Sequence, residues 1–203
     1  MKALYITDRA AAGEERLRTV LSALSGIPGL SVQIREKEAF GREALDRARR
    51  CKTWLGAGTP LYWNRRFDIA LAAGLDGVHL PSDGLPLSRV RANTPRGFRI
   101  GVSTHSAAEA RAAISGGADL VLIGPIYETP SKMTFGPPLT PNGLADLPET
   151  SAHKADVLAI GGIEERTLGD LEPYRDRIAG VAGIRLFQDA ADPRAVAERI
   201  SLR

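Results

Sequence analysis

The chain has 203 residues, 43% hydrophobic and 25% charged, enough for one domain with a sizeable core, and we expect a single domain over residues 1–203. Lysine and arginine number 27 against 24 acidic residues and are spread along the chain, which favours an anionic small ligand over nucleic acid. A lone cysteine, Cys51, excludes an intramolecular disulfide, and no run approaches the ~20 apolar residues of a membrane span, so we expect a cytoplasmic protein.

Short apolar runs alternate with helical stretches along the chain. We predict strands at residues 3–7, 32–36, 60–64, 77–80, 98–103, 120–124, 156–161 and 180–184. Amphipathic helices are predicted at residues 14–25, 41–52, 106–117 and 191–201. This alternation predicts an α/β fold, a closed (β/α)8 TIM barrel, with an open doubly wound sheet as the alternative. No GxGxxG motif follows the first strand, so a dinucleotide-binding open sheet has no support.

Polar residues concentrate where the predicted strands end, and barrel enzymes carry their chemistry in the loops at that end. These candidates are Gln33, Arg35, Lys37, Asn64, Arg65, Asp83, Ser103 and His105. Gln33, Arg35 and Lys37 alternate along their strand and therefore share one face, with Glu36 on the other. Burying them requires an anionic ligand or salt bridges that close the barrel end.

Two later segments carry further candidates. Residues 123–132, IGPIYETPSK, run from the sixth strand into a loop rich in hydroxyl and charged side chains. Gly161 and Gly162 lie between the seventh strand and a helix predicted to begin near Glu164. They allow backbone N–H groups to approach a phosphate, or they simply form a tight turn. No zinc-ligand spacing, GxSxG motif or Walker sequence is present.

These segments resemble thiamin-phosphate synthase and its TenI-type relatives, compact (β/α)8 barrels of thiamin biosynthesis. The resemblance rests on LYITDR, VQIREK, FDIALAAGLDGVHL, IGVSTH, IGPIYETPSK and AIGGI, in this order, and covers most of the chain. It implies that hydroxymethylpyrimidine pyrophosphate is joined to thiazole phosphate with release of pyrophosphate, assisted by Mg2+ and basic residues. The implied partners are small phosphorylated thiazole and pyrimidine substrates, without nucleic acid or membrane; a homodimer is compatible with the resemblance.

The resemblance also implies roles for individual residues. Gln33, Arg35 and Lys37 match the family's pyrophosphate-side motif, while Asn64 and Ser103 match polar residues after the third and fifth strands. Thr129, Ser131 and Lys132 match a T-x-T-K loop, in which Lys132 is a candidate catalytic residue. Gly161 and Gly162 match the thiazole-phosphate cradle, and Arg185 stands where the family has a phosphate-binding serine.

Two metal-binding positions depart from the synthase pattern. Arg65 stands where the family has its first Mg2+-binding aspartate. Gly84 stands where the family has its second, and the nearest aspartate, Asp83, is one residue earlier. Asp83 is therefore the remaining candidate metal ligand. A guanidinium in place of a carboxylate inverts the local charge, which disfavours Mg2+ and suits direct contact with phosphate.

The tautomerase branch of the family has its own missing residue. Its catalytic histidine corresponds to Pro125, which cannot transfer a proton and leaves Glu128 or His105 as the candidate acid or base. Three hypotheses follow: a synthase in which arginines take part of the metal's role, a tautomerase acting on carboxythiazole phosphate, and a non-catalytic binder of thiazole or thiamin phosphate.

Overall fold

A computed structural model describes residues 1–36, 38–129 and 137–202 and contains a closed barrel of parallel strands. The strands are β1 (Lys2–Ile6), β2 (Leu30–Ile34), β3 (Leu61–Asn64), β4 (Gly77–Leu80), β5 (Arg99–Thr104), β6 (Leu120–Ile123), β7 (Asp156–Ile160) and β8 (Gly180–Gly183). Each strand pairs with its sequence neighbour, and β8 pairs with β1. The predicted (β/α)8 barrel is confirmed, and the open-sheet alternative is wrong.

Helices connect the strands around the outside of the barrel. They are α1 (Arg9–Ala12), α2 (Glu14–Ala23), α3 (Gly41–Leu55), α4 (Phe67–Ala72), α5 (Leu87–Ala92), α6 (Ala107–Ser115), α7 (Arg185–Gln188) and α8 (Pro193–Ser201). The connections after β6 and β7 contain the 3₁₀ helices Pro141–Leu144, Thr150–Ala152 and Glu165–Tyr174. Pro173 lies inside the last of these and has no N–H to donate. Within the described ranges, no helix is long and apolar enough to cross a bilayer.

Alternate residues of each strand face the barrel interior and the surrounding helices. In β1, Leu4 and Ile6 belong to the interior cluster, whereas Ala3 and Tyr5 pack in the larger cluster outside the barrel. The rest of the interior cluster comprises Tyr62, Leu120, Leu122, Leu158 and Ala182. Because these side chains fill the barrel, a ligand must bind above them, at the mouth formed by the carboxyl ends of the strands.

Aspartates just before two strands satisfy backbone groups at the opposite end of the barrel. The Asp76 carboxylate accepts a hydrogen bond from the Leu61 N–H at 2.8 Å, and the Asp119 carboxylate accepts one from the Ile100 N–H at 2.8 Å. Lys2 and Asp156 form a salt bridge of 2.6 Å between the starts of β1 and β7. These polar residues therefore have structural partners far from the mouth.

Closure between β8 and β1 requires a residue without a side chain at Gly180. A Cβ atom at this position would lie 1.8 Å from the Lys2 carbonyl oxygen, whose backbone cannot withdraw without breaking the pairing. We expect Gly180→Ala to lower the free energy of unfolding by about 3 kcal/mol or more, through overpacking and strand displacement. Urea denaturation measures this change.

Gly169→Ala is the matched control, because a Cβ there has no atom within 4 Å. Its free energy of unfolding should change by less than about 1 kcal/mol. Equal stability of the two variants would show that β8 can shift relative to β1 without cost.

Candidate functional site

Two amide side chains pair at the mouth of the barrel. Gln33 is 3% exposed, and its Nε2 donates a hydrogen bond to Asn64 Oδ1 at 3.1 Å. Gln33 Oε1 is buried and has no hydrogen-bond partner among the described residues. A buried acceptor without a donor is costly, so this atom is suited to an N–H or O–H group of a ligand.

Two arginines lie on the rim beside this amide pair. Arg35 follows β2 and places its Nη1 3.9 Å from Asp8 Oδ2. Arg65 follows Asn64 and places its Nη2 2.6 Å from Asp83 Oδ1, with both side chains at least half exposed. A hydrogen bond from Arg65 holds the pKa of the Asp83 carboxyl below its ordinary value. These two rim arginines therefore each have a carboxylate nearby.

Glu36 lies two residues beyond the end of β2 and contacts arginines of the outer helices α1 and α3. Its side chain is 5% exposed, and its Oε2 accepts a hydrogen bond from Arg9 Nε at 3.0 Å. The same oxygen is 3.7 Å from Arg47 Nε. Glu36 therefore belongs to a structural charge network, while Arg35 remains at the rim.

The described residues at the rim do not fit a divalent cation. Asp83 is the carboxylate that the sequence singles out there, and it is already bonded to the Arg65 guanidinium. Nowhere within residues 1–36, 38–129 and 137–202 do three or more His, Cys, Asp or Glu side chains form a group suited to a metal ion. Mg2+ prefers several carboxylate or water oxygens, and an adjacent arginine repels it. The donor set therefore disagrees with the Mg2+ that the resemblance implies.

His79 supports Ser103 from inside the barrel. The His79 side chain is 2% exposed, and its Nε2 lies 2.8 Å from Ser103 Oγ. Gly101 makes room for the ring, because a Cβ there would be 2.5 Å from His79 Nδ1. The Ser103 hydroxyl is thus fixed at the end of β5 by a buried side chain.

His105 lies between the ends of β5 and β6. Its Nδ1 is 2.7 Å from the Gly124 carbonyl oxygen, and its Nε2 is 3.4 Å from Ser82 Oγ. Because a carbonyl only accepts, Nδ1 carries the proton in neutral His105 and Nε2 is the basic nitrogen. This geometry directs Nε2 of His105 toward Ser82.

The loop after β6 is tied to its surroundings at both ends. The Ile126 N–H donates to the Ile160 carbonyl at 2.9 Å, and the Leu139 N–H donates to the Pro125 carbonyl at 2.8 Å. Glu128 is exposed, and Thr129 Oγ1 is buried without a hydrogen-bond partner among the described residues. The predicted site residues Lys37, Ser131 and Lys132 lie outside the described residues.

Gly161 and Gly162 let the loop after β7 pass close to the loop after β6. Their φ angles are 104° and 66°, in the left-handed region that favours glycine. A Cβ on Gly161 would lie 2.6 Å from Pro125 Cα, and one on Gly162 would lie 2.7 Å from Tyr127 Cβ. Arg185 is exposed at the start of α7, after the neighbouring strand β8. Glycine backbone and an arginine thus follow adjacent strands.

Tyr127 and Asp170 join these two loops through their side chains, a contact that the sequence did not predict. The Tyr127 hydroxyl donates to Asp170 Oδ2 at 3.0 Å and approaches the Thr167 carbonyl at 3.4 Å. Burial and the Asp170 carboxylate raise the pKa of Tyr127. The two residues are 43 positions apart, so no local pattern in the sequence indicates their contact. The presence of Tyr127 in the segment IGPIYETPSK was the one sequence feature that could have suggested it.

We expect Tyr127→Phe to lower the free energy of unfolding by about 1 kcal/mol, because Asp170 loses a hydrogen-bond donor. Urea denaturation of Tyr127→Phe, Asp170→Ala and the double variant forms a thermodynamic cycle. The double variant should be less destabilised than the sum of the single variants. Strict additivity would mean that the hydroxyl and the carboxylate do not interact in solution.

Comparisons with known proteins agree with this architecture. Residues 3–187 match the family model TMP-TENI, described as thiamine monophosphate synthase. A Geobacter sulfurreducens protein, provisionally named a thiamine-phosphate synthase, is 41% identical over 193 residues, which cover 93% of this chain and 87% of the relative. The thiamine-phosphate synthase of Roseiflexus sp. is 37% identical over 192 residues, covering 94% and 79% of the two chains.

A solved structure extends the comparison to three dimensions. Thiamine phosphate pyrophosphorylase from Pyrococcus furiosus superposes with a TM-score of 0.79 at 27% identity, covering 99% of this chain and 94% of the other. The region that the family model matches, residues 3–187, includes β2 to β8, all of β1 except Lys2, and the mouth residues described above. The chain therefore belongs to the thiamine monophosphate synthase family, TMP-TENI.

Proposed function

We propose that this protein is a thiamine-phosphate synthase, which joins hydroxymethylpyrimidine diphosphate to thiazole phosphate and releases pyrophosphate. The observation that carries the proposal is the pairing of Gln33 with Asn64 at the barrel mouth, flanked by Arg35 and Arg65. Such a site offers an amide acceptor to a heterocycle and cations to its diphosphate. Family membership and the names of the relatives support the same reaction.

The pyrimidine is assigned to the amide pair because of hydrogen-bond polarity. The buried Gln33 Oε1 can only accept, so it suits a hydrogen-bond donor of the heterocycle and not a phosphate oxygen. Asn64, oriented by Gln33, presents the rest of its amide to the same ligand. The adjacent arginines then bind the diphosphate through charge-assisted hydrogen bonds.

The thiazole phosphate is assigned to the loops after β7 and β8. Gly161 and Gly162 begin the loop after β7 with positive φ angles, a conformation of the kind that turns successive backbone N–H groups toward an anion. The exposed Arg185 adds a positive charge after the neighbouring strand. On this proposal the two phosphorylated substrates bind at the ends of different strands of one mouth.

The reaction requires charge stabilisation more than proton transfer. The bond between the pyrimidine methylene carbon and the diphosphate oxygen breaks, and its electron pair leaves with the diphosphate. The lone pair of the thiazole nitrogen forms the new C–N bond, which leaves the positive charge on the thiazolium ring. Arg35 and Arg65 stabilise the departing anion by electrostatic interaction, which is the main contribution that these side chains make.

A tautomerase is the second candidate, favoured by one observation at His105. Its Nδ1–H is fixed by the Gly124 carbonyl, so Nε2 can accept and return a proton. Pro125, at the position of the tautomerase histidine, has no titratable group, and Glu128 is exposed to solvent. His105→Asn should abolish conversion of carboxythiazole phosphate if this second function operates.

Synthase activity predicts that pyrophosphate appears only when both substrates are present. The measurement is a coupled pyrophosphate assay with the full chain, run with each substrate alone and with both together. Turnover of carboxythiazole phosphate alone would instead support the tautomerase. Saturable calorimetric binding of thiazole phosphate without turnover in either assay would leave a non-catalytic binder.

Gly162→Ala should raise the KM for thiazole phosphate by about tenfold or more, because a displaced loop loses a charge-assisted hydrogen bond to phosphate. The KM for the pyrimidine diphosphate should change much less, since Gln33 and Asn64 are on other strands. Steady-state kinetics with each substrate varied in turn separates the two effects. Gly169→Ala is the matched control; an equal rise in both KM values would contradict the assignment.

A further inference from the structure

We propose that Asp83 competes with diphosphate for Arg65, so that an exchangeable ion pair replaces a divalent cation at this rim. The incoming diphosphate displaces the Asp83 carboxylate from the Arg65 guanidinium and binds without Mg2+. The inference rests on the proposed function and concerns the recognition of the leaving group. Removing a metal ligand would weaken diphosphate binding. Removing the charge of Asp83 should instead strengthen it, because Asp83 competes with the diphosphate.

The position of Arg65 is fixed by its backbone. Its φ is 66°, unusual for a residue other than glycine, and its N–H donates to the His79 carbonyl at 2.8 Å. Arg65 also follows Asn64, the residue bonded to Gln33. The backbone therefore holds the start of the side chain at the mouth, while the long side chain can change partner.

The contact between Arg65 and Asp83 is easy to exchange. It consists of one close contact, Nη2 to Oδ1 at 2.6 Å, between side chains that are 50% and 73% exposed. Exposed ion pairs of this kind contribute little net stability. A diphosphate carries more negative charge than a carboxylate and offers several acceptor oxygens, so it is the stronger partner for a guanidinium.

Arg66, the next residue, shows what a less exchangeable pair looks like. Its Nε donates to Asp68 Oδ1 at 2.7 Å, and its Nη2 donates to Asp68 Oδ2. This two-point contact within one turn of chain restrains the Arg66 guanidinium at the start of α4. Of the two consecutive arginines, Arg65 is therefore the one that can turn to a ligand.

The test is calorimetric titration of the full chain with inorganic pyrophosphate in EDTA. Asp83→Asn should increase the affinity for pyrophosphate by roughly twofold to fivefold, because the free energy of an exposed ion pair no longer has to be overcome. Arg65→Gln should weaken binding by about tenfold to a hundredfold, because a charge-assisted hydrogen bond is lost. In the Arg65→Gln background, Asp83→Asn should have no further effect, since its competitor is gone.

The ion pair of Glu15 and Arg18 in α2 supplies matched controls. It joins exposed side chains, at 55% for Arg18 and 77% for Glu15, through a 2.6 Å contact like that of Arg65 with Asp83 and a second, longer one at 3.3 Å, and it lies on the helix α2. Glu15→Gln and Arg18→Gln should leave the pyrophosphate affinity unchanged. If these variants changed the pyrophosphate affinity as much as the Asp83 and Arg65 variants do, the effect would come from the net charge of the protein. That result would overturn the proposal.

Two further results would overturn the exchange. One is pyrophosphate binding that appears only after Mg2+ is added; the other is weaker binding in Asp83→Asn, as expected for a lost metal ligand. Both outcomes leave synthase activity intact and so do not touch the proposed function. Conversely, tighter pyrophosphate binding in Asp83→Asn would support the exchange even if the two-substrate assay showed no turnover.

Discussion

The pairing of β8 with β1 is the constraint on which the other features of the structure depend. Closure makes every strand an interior strand, with its carboxyl end on one ring. Gln33 and Asn64 are 31 positions apart, yet the parallel register of β2 and β3 brings their amides into hydrogen-bond contact. Closure itself depends on the absence of a side chain at Gly180, which lets the backbones of β8 and β1 meet.

A second close approach determines the shape of the mouth. Gly161 and Gly162 allow the loop after β7 to lie against Pro125 and Tyr127, and the Tyr127 N–H donates to the Gly161 carbonyl at 2.9 Å. The positive φ at both glycines lets the two loops lie against each other, and Pro125 and Tyr127 fill the space that a Cβ atom would take. The tight turn that the glycine pair indicates is thus observed, and the proposed function adds a phosphate at the N–H groups of the same turn.

The strands were predictable because their signal is local. All eight predicted strands lie within two residues of their observed bounds, and apolar runs punctuated by glycine were sufficient. The hydrogen-bond and salt-bridge partners of the site residues were less predictable, because they depend on the conformation of the loops. Gln33 was expected to need an anion or a salt bridge, yet it bonds to Asn64; and the helix expected after Gly162 is a 3₁₀ segment containing Pro173. The contact of Arg65 with Asp83 depends on a left-handed residue that no pattern indicated.

The rim also explains how a cationic site can be compatible with a stable fold. Arg35 and Arg65 each have a carboxylate nearby, Asp8 and Asp83, so neither cation faces the mouth without a counter-charge. A metal-dependent site reaches the same balance with carboxylates that hold a cation until the phosphates arrive. When diphosphate replaces the Asp83 carboxylate, the charge of Arg65 is compensated before and after the exchange. The exchange requires only that the carboxylate bind Arg65 more weakly than the diphosphate does. The exposure of Asp83 satisfies that requirement, because solvent screens the interaction that the diphosphate must replace.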